Sequence, residues 1–225
     1  ASSCRTRSAA AMTQRAAAQA QRREVPFIAA ASTARDVSRV GDWVFRTALT
    51  DGEQAQCLAR HARQTLQKRR CALVYRRNAL LQVTMADAFA SGFRGGGGDV
   101  ALRDSYTDEA ELVRLVARIR AANADVVYAP AEGADAGRIA VALKQGRVTA
   151  QVMGSDGWAS PEVRQFAREA LVGVMYSDAF SPQAPRPEVD TFVAAFRERY
   201  RAMPGTFAAL GFDAARWVIA AAPAG

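Results

Sequence analysis

The stretch VPFIAAASTARDVSRVGDWVFRTALTD, residues 25–51, indicates the fold class of the chain. Its first four residues predict a short buried strand, small and hydroxylated residues follow at 29–33, and an apolar run at 43–45 predicts a second strand. Open α/β sheets hold ligands at the carboxyl ends of such strands. Backbone N–H groups and the hydroxyls of Ser32 and Thr33 can bind an anion there. The alternative is that residues 29–33 form an ordinary polar turn.

Apolar runs alternate with helix-forming segments along the chain. Strands are predicted at 71–75, 100–102, 125–129, 150–154 and 172–176, and helices at 8–23, 51–67, 79–93, 108–122, 134–145, 188–201 and 206–222. Asp108 is predicted to cap the helix that it begins, and Ser160-Pro161 to start a further short helix, with proline at its first position. Asp51 is predicted to cap the helix that follows it, with Gln54 completing a capping box. The repeated alternation predicts a parallel, doubly wound α/β sheet. The proline-rich segment 181–187 predicts a crossing between domains near 178–187, and a second crossing is predicted near 46–51.

The composition narrows the function classes. The chain has 225 residues, half of them apolar, which is enough for a sizeable core. No run approaches the roughly 20 apolar residues of a membrane span, and the first residues lack the apolar region of a signal peptide. The net charge of +8 comes from scattered Lys and Arg without interleaved aromatic residues, so nucleic-acid binding is not predicted.

Cysteine and histidine are too few for a zinc site, because the chain has only Cys4, Cys57, Cys71 and His61. Cys57 and His61 are four residues apart on a predicted helix, so a Cys–His nucleophile is an open alternative. No third group that would orient such a pair is evident. The glycines at 95–98 lack a following Lys-Ser/Thr and predict a flexible connection rather than a phosphate loop. We therefore expect no enzyme activity, no metal and no cofactor.

Five segments carry a resemblance to a known family. They are VPFIAAAST, VFRTALTDGEQ, NADVVYAP, VMGSDGW and the tail FSP…F…Y…P…ALGFDAARW, in this order. Together they resemble the Leu/Ile/Val-binding type of periplasmic solute-binding protein that serves ABC importers. The resemblance implies a type I fold of two lobes, each a parallel sheet flanked by helices, that close on a solute by hinge motion. It assigns 1–47 and 180–225 to a truncated lobe one, and 48–179 to lobe two.

The resemblance also implies the partners and the compartment. It predicts a small solute, an amino acid or amide-like molecule, and an ABC-transporter permease in the membrane as partners. The protein would be periplasmic. The alternatives are a cytoplasmic sensor of amides or amino acids with the same fold, and a fragment without activity whose lobe-one helices expose apolar faces.

In the family, the turn after the first strand binds the carboxylate of the amino acid. The matching positions are Ala31 and Thr33, with Ser32 between them. An earlier family serine also contacts this carboxylate. Ser8 is the nearest candidate, although an alignment without a gap places Ala10 there.

The acidic family residue that binds the ligand's ammonium falls on Asp156, for which an Asx-turn or a helix cap is the alternative. Two family tyrosines are replaced by Leu80 and Glu132. Glu132 adds an anion, which favours a solute with an extra cationic or donor group over a plain branched-chain amino acid; the alternative places it on the solvent rim. Trp158 is expected either to form an apolar wall of the site or to pack in the core.

Overall fold

The structure is a computed structural model that describes residues 9–222. The chain divides into unit 1, formed by Ala1–Thr50 and Ala179–Gly225, and unit 2, formed by Asp51–Asp178. The strands are β1 (Phe27–Ala29), β2 (Val44–Arg46), β3 (Arg70–Arg76), β4 (Asp99–Tyr106), β5 (Val126–Ala129), β6 (Gln151–Gly154) and β7 (Met175–Tyr176). The helices are α1 (Ala9–Arg22), α2 (Asp51–Arg60), α3 (Leu80–Gly95), α4 (Glu109–Ala121), α5 (Gly133–Gln145), α6 (Pro161–Ala167), α7 (Pro187–Tyr200) and α8 (Thr206–Ala221).

Unit 2 contains a five-stranded sheet with the order β4-β3-β5-β6-β7, in which every pair is parallel. Side chains alternate between the two faces of a strand, so an apolar run such as β3 serves two cores. Cys71 and Leu73 pack with α2 and α3 on one face, whereas Ala72 and Val74 pack with α4, α5 and α6 on the other. The predicted α/β class, with a parallel sheet flanked by helices, is confirmed.

Local side-chain chemistry sets several helix starts in unit 2. Asp108 caps α4, because its carboxylate accepts a hydrogen bond from the Glu111 N–H at 2.8 Å. Ser160 caps α6 in the same way, and Pro161 occupies the first turn. Asp51 differs from its predicted role: it is the first residue of α2 rather than the cap, and it is buried.

Three predicted elements have different lengths in the structure. The predicted helix 51–67 ends its α-helical part at Arg60 and continues as a π-helical turn, His61–Thr65. β4 is longer than the predicted strand 100–102, because it pairs with β3 along the whole of that strand. β7 is shorter than the predicted strand 172–176, since Gly173 before it has a positive φ of +80° and forms a turn.

Unit 1 has a smaller core. β1 and β2 form a two-stranded parallel sheet. Its buried cluster consists of Ala17, Ala29, Val37 and Val44. α7 and α8 contact each other through aromatic rings, with the Phe192 and Phe212 centroids 4.7 Å apart. Within residues 9–222, none of the helices combines the length and hydrophobicity that crossing a membrane requires.

Candidate functional site

Two neighbouring strands of unit 2 end side by side and bring two carboxylates to one edge of the sheet. β5 and β6 are parallel, and the last residue of β5, Ala129, is paired with the last residue of β6, Gly154. Glu132 follows β5 by three residues, and Asp156 follows β6 by two. The strand register therefore places both side chains at the carboxyl edge, where open α/β sheets bind ligands.

Buried hydrogen bonds fasten the two loops to each other. The Ser155 hydroxyl donates to the Ala131 carbonyl oxygen at 3.0 Å, and the Trp158 indole N–H donates to the Ala129 carbonyl oxygen at 2.8 Å. Trp158 is 1% exposed and belongs to the core cluster. Of the two alternatives for this residue, packed core is the one that describes its side chain. The loops are consequently held in fixed positions.

Gly157 allows these loops to approach closely. A Cβ atom at this position would lie 2.6 Å from the Ala131 carbonyl oxygen and 2.6 Å from the Glu132 Cγ. Both distances are shorter than van der Waals contact. The glycine that follows Asp156 is therefore needed for the contact between the two carboxylate-bearing loops.

Asp156 is half-buried and has a polar neighbour on α2. Burial raises the pKa of its carboxyl group, and the negative charge of Asp178 raises it further. Hydrogen bonds from the Gln54 side chain and the Gly157 backbone act in the opposite direction but do not cancel the rise. Gln54 is only 6% exposed, so the side chain that bonds Asp156 is buried and not at the surface.

Glu132 shares this negative environment. Part of the residue is exposed, yet the surrounding protein still desolvates its carboxyl group and raises its pKa, and the charges of Asp156 and Asp51 add to the rise. No Lys, Arg or His within residues 9–222 forms an ion pair with Glu132 or with Asp156. The edge of the sheet thus presents carboxylates that the described part of the chain does not neutralise.

Tyr128 is the penultimate residue of β5, just before the loop that carries Glu132. Its ring is fully buried and stacks on Phe89, with the centroids 4.2 Å apart. Its hydroxyl has no hydrogen-bond partner among the described residues, and neither does the Gln54 side-chain oxygen. Burial raises the pKa of Tyr128, and the negative charges of Asp156 and Asp51 raise it further.

The sequence prediction missed three members of this cluster: Asp51, Gln54 and Tyr128. The sequence pattern of Asp51 and Gln54 predicts a capping box, and it does not show that both side chains are buried. Tyr128 is the penultimate residue of β5, where a buried strand gives no sign of an unpartnered hydroxyl. The sequence did contain one indication of Asp51 and Gln54 as site residues: both are polar and lie in the first turn of α2, the helix that begins unit 2.

Leu80 lies at the same edge, one strand further along the sheet. It is the first residue of α3, which follows β3, and β3 is paired in parallel with β5. Its side chain is 79% exposed. The structure therefore brings Leu80, Glu132 and Asp156 to one edge of unit 2.

The remaining predicted residues belong to unit 1. Ser32 and Thr33 are half-buried in the loop after β1, and Ala31 is exposed. Two bonds from the end of β2 hold this loop: the Thr47 hydroxyl donates to the Ala30 carbonyl oxygen, and Arg46 donates to the Ala34 carbonyl oxygen, both at 3.0 Å. Ser8 lies outside the described residues, so its role stays a prediction.

The comparison with protein families is decisive for the class of protein. The family profile described as "Periplasmic binding protein" matches residues 7–225. The chain belongs to the periplasmic binding protein family.

Individual relatives and solved structures are consistent with this family assignment. The "Leu/Ile/Val-binding protein homolog 3" of Brucella melitensis is 27% identical over 137 residues, which are 60% of this chain and 37% of the relative. A solved putative branched-chain amino acid ABC transporter from Rhodospirillum rubrum superposes with a TM-score of 0.80 at 23% identity, covering 95% of this chain and 61% of that one.

A solved ABC transporter substrate-binding protein from Desulfitobacterium hafniense, in complex with Leu, has a TM-score of 0.73 at 25% identity. It is matched over 90% of this chain and 58% of its own. The chain thus spans between about two fifths and three fifths of the length of these relatives.

Family members and structural neighbours are binding proteins rather than enzymes. The Cys57–His61 alternative receives no geometric support in this periplasmic binding protein. The Cys57 sulfur accepts a hydrogen bond from Arg60 at 3.0 Å, and no hydrogen bond joins Cys57 to His61 among residues 9–222. Over the same residues, no group of three potential ligands is arranged to hold a metal ion.

The glycine run forms the connection between α3 and β4. The Arg63 guanidinium donates to the Gly96 carbonyl oxygen at 2.9 Å and also to the Lys68 carbonyl oxygen. These bonds use the cation of Arg63 to hold the backbone of the connection. The geometry agrees with the predicted αβ connection and not with a phosphate loop.

Proposed function

We propose that this chain is the solute-binding component of an ABC importer. In this proposal units 1 and 2 correspond to the two lobes of the family fold, an amino acid or related small polar solute binds between them, and the lobes close on it by hinge motion. The protein works in the periplasm and delivers the solute to a membrane permease. The observation that carries the proposal is Asp156: in a chain of this family, a half-buried carboxylate without an ion pair in residues 9–222 follows the end of β6 by two residues.

The side chains of the loop after β6 and of the loop after β1 support a zwitterionic solute. Asp156 offers an acceptor for an ammonium group, and charge-assisted hydrogen bonds of this kind are about twice as strong as neutral ones. Ser32 and Thr33 offer hydroxyl donors for a carboxylate, and no hydrogen bond within the described residues occupies either hydroxyl. The two units therefore supply complementary chemistry for the two charged ends of an amino acid.

Binding alone drives the change in shape that the proposal requires. A solute that contacts both units stabilises the closed form by the difference between its affinities for the closed and open forms. No bond is made or broken, so no nucleophile, metal or redox group is required, and we expect no turnover of the solute.

Titration calorimetry of the full chain with a panel of amino acids and amides tests this function. The Asp156→Asn variant should lose at least about tenfold in affinity for an amino acid, because a neutral amide replaces the charged acceptor. The Thr33→Val variant should lose affinity for the same solute, since it removes a hydroxyl donor.

Glu169→Gln is the matched control, because Glu169 is an exposed acid of unit 2 away from the carboxyl edge. It should bind as the unmodified chain does. Full affinity of Asp156→Asn for an amine-bearing solute would refute the proposed role of this carboxylate.

A further inference from the structure

We propose that the solute of this protein is a basic one: besides its α-ammonium group it carries a second positively charged nitrogen, which Glu132 binds. The inference rests on the proposed function, because it concerns the same solute and names its chemical class. It comes from a cluster in unit 2 that combines two carboxylates with two buried polar atoms for which residues 9–222 provide no hydrogen-bond partner.

The cluster consists mainly of hydrogen-bond acceptors. Gln54 uses an amide N–H on Asp156, and its carbonyl oxygen is buried and has no partner among residues 9–222. Glu132 and Asp156 add carboxylate oxygens, which accept only. The Tyr128 hydroxyl can accept as well as donate, and it too is buried and unpartnered within the described chain. A ligand that fits must therefore bring N–H donors.

The two carboxylates of the cluster favour a solute that carries more than one positive charge. Asp156 and Glu132 lie at the same carboxyl edge, and each negative charge disfavours the other. The carboxylate of Asp51 contributes to the same negative potential at Glu132. A neutral amino acid brings one ammonium group and leaves the second carboxylate without a counter-charge. A solute with a second protonated nitrogen neutralises both.

The rest of the edge suits a chain of methylene groups between the two nitrogens. Leu80 begins α3 at the same edge and exposes most of its side chain. The close packing of Gly157 against Glu132 keeps the two carboxylate-bearing loops adjacent. An aliphatic diamino acid therefore has an apolar contact for its stem and an acceptor for each cation.

L-Ornithine and L-norvaline form a matched pair of probes, because they differ only in the terminal amine. We expect titration calorimetry of the full chain to give ornithine at least a tenfold lower Kd than norvaline, which is about 1.4 kcal/mol. L-Leucine should bind no better than norvaline. In Glu132→Gln, the Kd for ornithine should rise at least tenfold while the Kd for norvaline stays the same or falls.

The outcomes separate this inference from the function on which it rests. If norvaline or leucine binds as tightly as ornithine, and Asp156→Asn abolishes that binding, the proposed function stands and the basic solute is refuted. If no amino acid binds, the proposed function fails and this inference fails with it. If Glu132→Gln does not fold, as judged by its thermal transition without solute, the ornithine-to-norvaline ratio of the unmodified chain decides alone. Glu169→Gln should leave that ratio unchanged.

Discussion

In the absence of solute, the charged carboxylates of Asp156 and Glu132 lower the free energy of unfolding of unit 2. Burial is the largest reason why the pKa of each is raised, and the nearby acids Asp51 and Asp178 add to it. A raised pKa means that, above the ordinary carboxyl range, the folded chain binds more protons than the unfolded chain. The contribution of these two groups to the stability of the empty protein therefore falls as pH rises from about 4 through their raised pKa values.

Asp156→Asn should stabilise the empty protein at neutral pH, because it removes a desolvated charge and keeps an oxygen that can accept from Gln54. We expect the midpoint of thermal unfolding to rise on the order of 1–3 °C at pH 7.5, and the gain to shrink as pH approaches 4. Differential scanning calorimetry at several pH values measures this difference. A lower midpoint at pH 7.5, with Glu169→Gln unchanged, would contradict the desolvation argument.

Gly157→Ala should separate the two loops of the site. The new Cβ would lie 2.6 Å from the Ala131 carbonyl oxygen and 3.0 Å from the Glu132 Cα, and backbone atoms cannot move as easily as a side chain. We expect a loss of roughly 1–3 kcal/mol in the free energy of unfolding, and weaker solute binding. Urea denaturation and calorimetry report the two effects. Gly95→Ala is the control, since no atom lies within 4 Å of its added Cβ; an equal loss in both variants would disprove the steric explanation.

At the scale of elements, one ionic cluster joins two strands to a helix in unit 2. Asp135 of α5 accepts from the Arg76 guanidinium of β3 at 2.7 Å and from the Tyr106 hydroxyl of β4 at 2.8 Å. Burial alone would raise the pKa of Asp135, but the hydrogen bonds from Arg76 and Tyr106 outweigh it and the pKa is lowered. The stabilisation is therefore present above the ordinary Asp pKa and is lost as pH falls through the lowered value.

Asp135→Asn should cost roughly 1–3 kcal/mol at pH 7, less than a fully buried pair because Arg76 is partly exposed. The difference from the unmodified chain should decrease as pH falls below about 4, because Asp135 is then protonated in the unfolded chain, whereas in the folded chain, where its pKa is lowered, it is protonated only at lower pH. Urea denaturation at pH 7 and pH 3.5 measures both values. Asp87→Asn, at a more exposed pair with Arg103, should cost less; the reverse order would contradict the role of burial.

Elements could be predicted from the sequence where a local pattern determines them. The apolar run at β3, the Asp108 cap of α4 and the Ser160-Pro161 start of α6 depend on neighbouring residues only, and the structure has all three. The extra length of β4 could not be predicted, because it depends on pairing with β3, from which it is separated by α3. Pairing across the chain is not encoded in the periodicity of one segment.

The same distinction applies to the candidate site. Asp156 and Glu132 follow strand ends, a position that the sequence shows directly. The residues that surround them could not be predicted, because the hydrogen bond of Gln54 with Asp156 joins α2 to the loop after β6, about a hundred residues later in the chain. That the Tyr128 hydroxyl has no hydrogen-bond partner in the described part of the chain follows only from its three-dimensional surroundings. The sequence therefore predicts residues of the site but not the balance of its donors and acceptors.

At the scale of the whole molecule, the two units differ in how much core supports their strands. In unit 2 the central strands β3 and β5 lie between two large buried clusters. The sheet of unit 1 has two strands and a cluster of four buried residues. Because a two-stranded sheet is marginally stable by itself, local opening should be easier in unit 1 than in unit 2.

Hydrogen exchange of the empty chain should show this difference at individual amides. We expect the amide of Phe27 in β1, which donates to the Trp43 carbonyl oxygen at 2.8 Å, to exchange at least about a hundredfold faster than those of Leu73 in β3 and Val127 in β5, which corresponds to about 2.7 kcal/mol in opening free energy. Mass spectrometry or NMR at constant pH measures these rates. Equal protection of the three amides would contradict the inference from core size.

A solute that contacts both units should reduce this difference. Binding to the native state alone adds about 2.7 kcal/mol to an opening that releases the solute, at a concentration of 100 times Kd. Openings of unit 1 that disrupt the Ser32–Thr33 loop would release it, so exchange at Phe27 should slow by up to about a hundredfold at that concentration. Leu73 should slow less if its exchange is already limited by global unfolding or by openings that spare the site. Protection confined to unit 2 would show that unit 1 takes no part in binding, because a solute held by one unit cannot stabilise the other against opening.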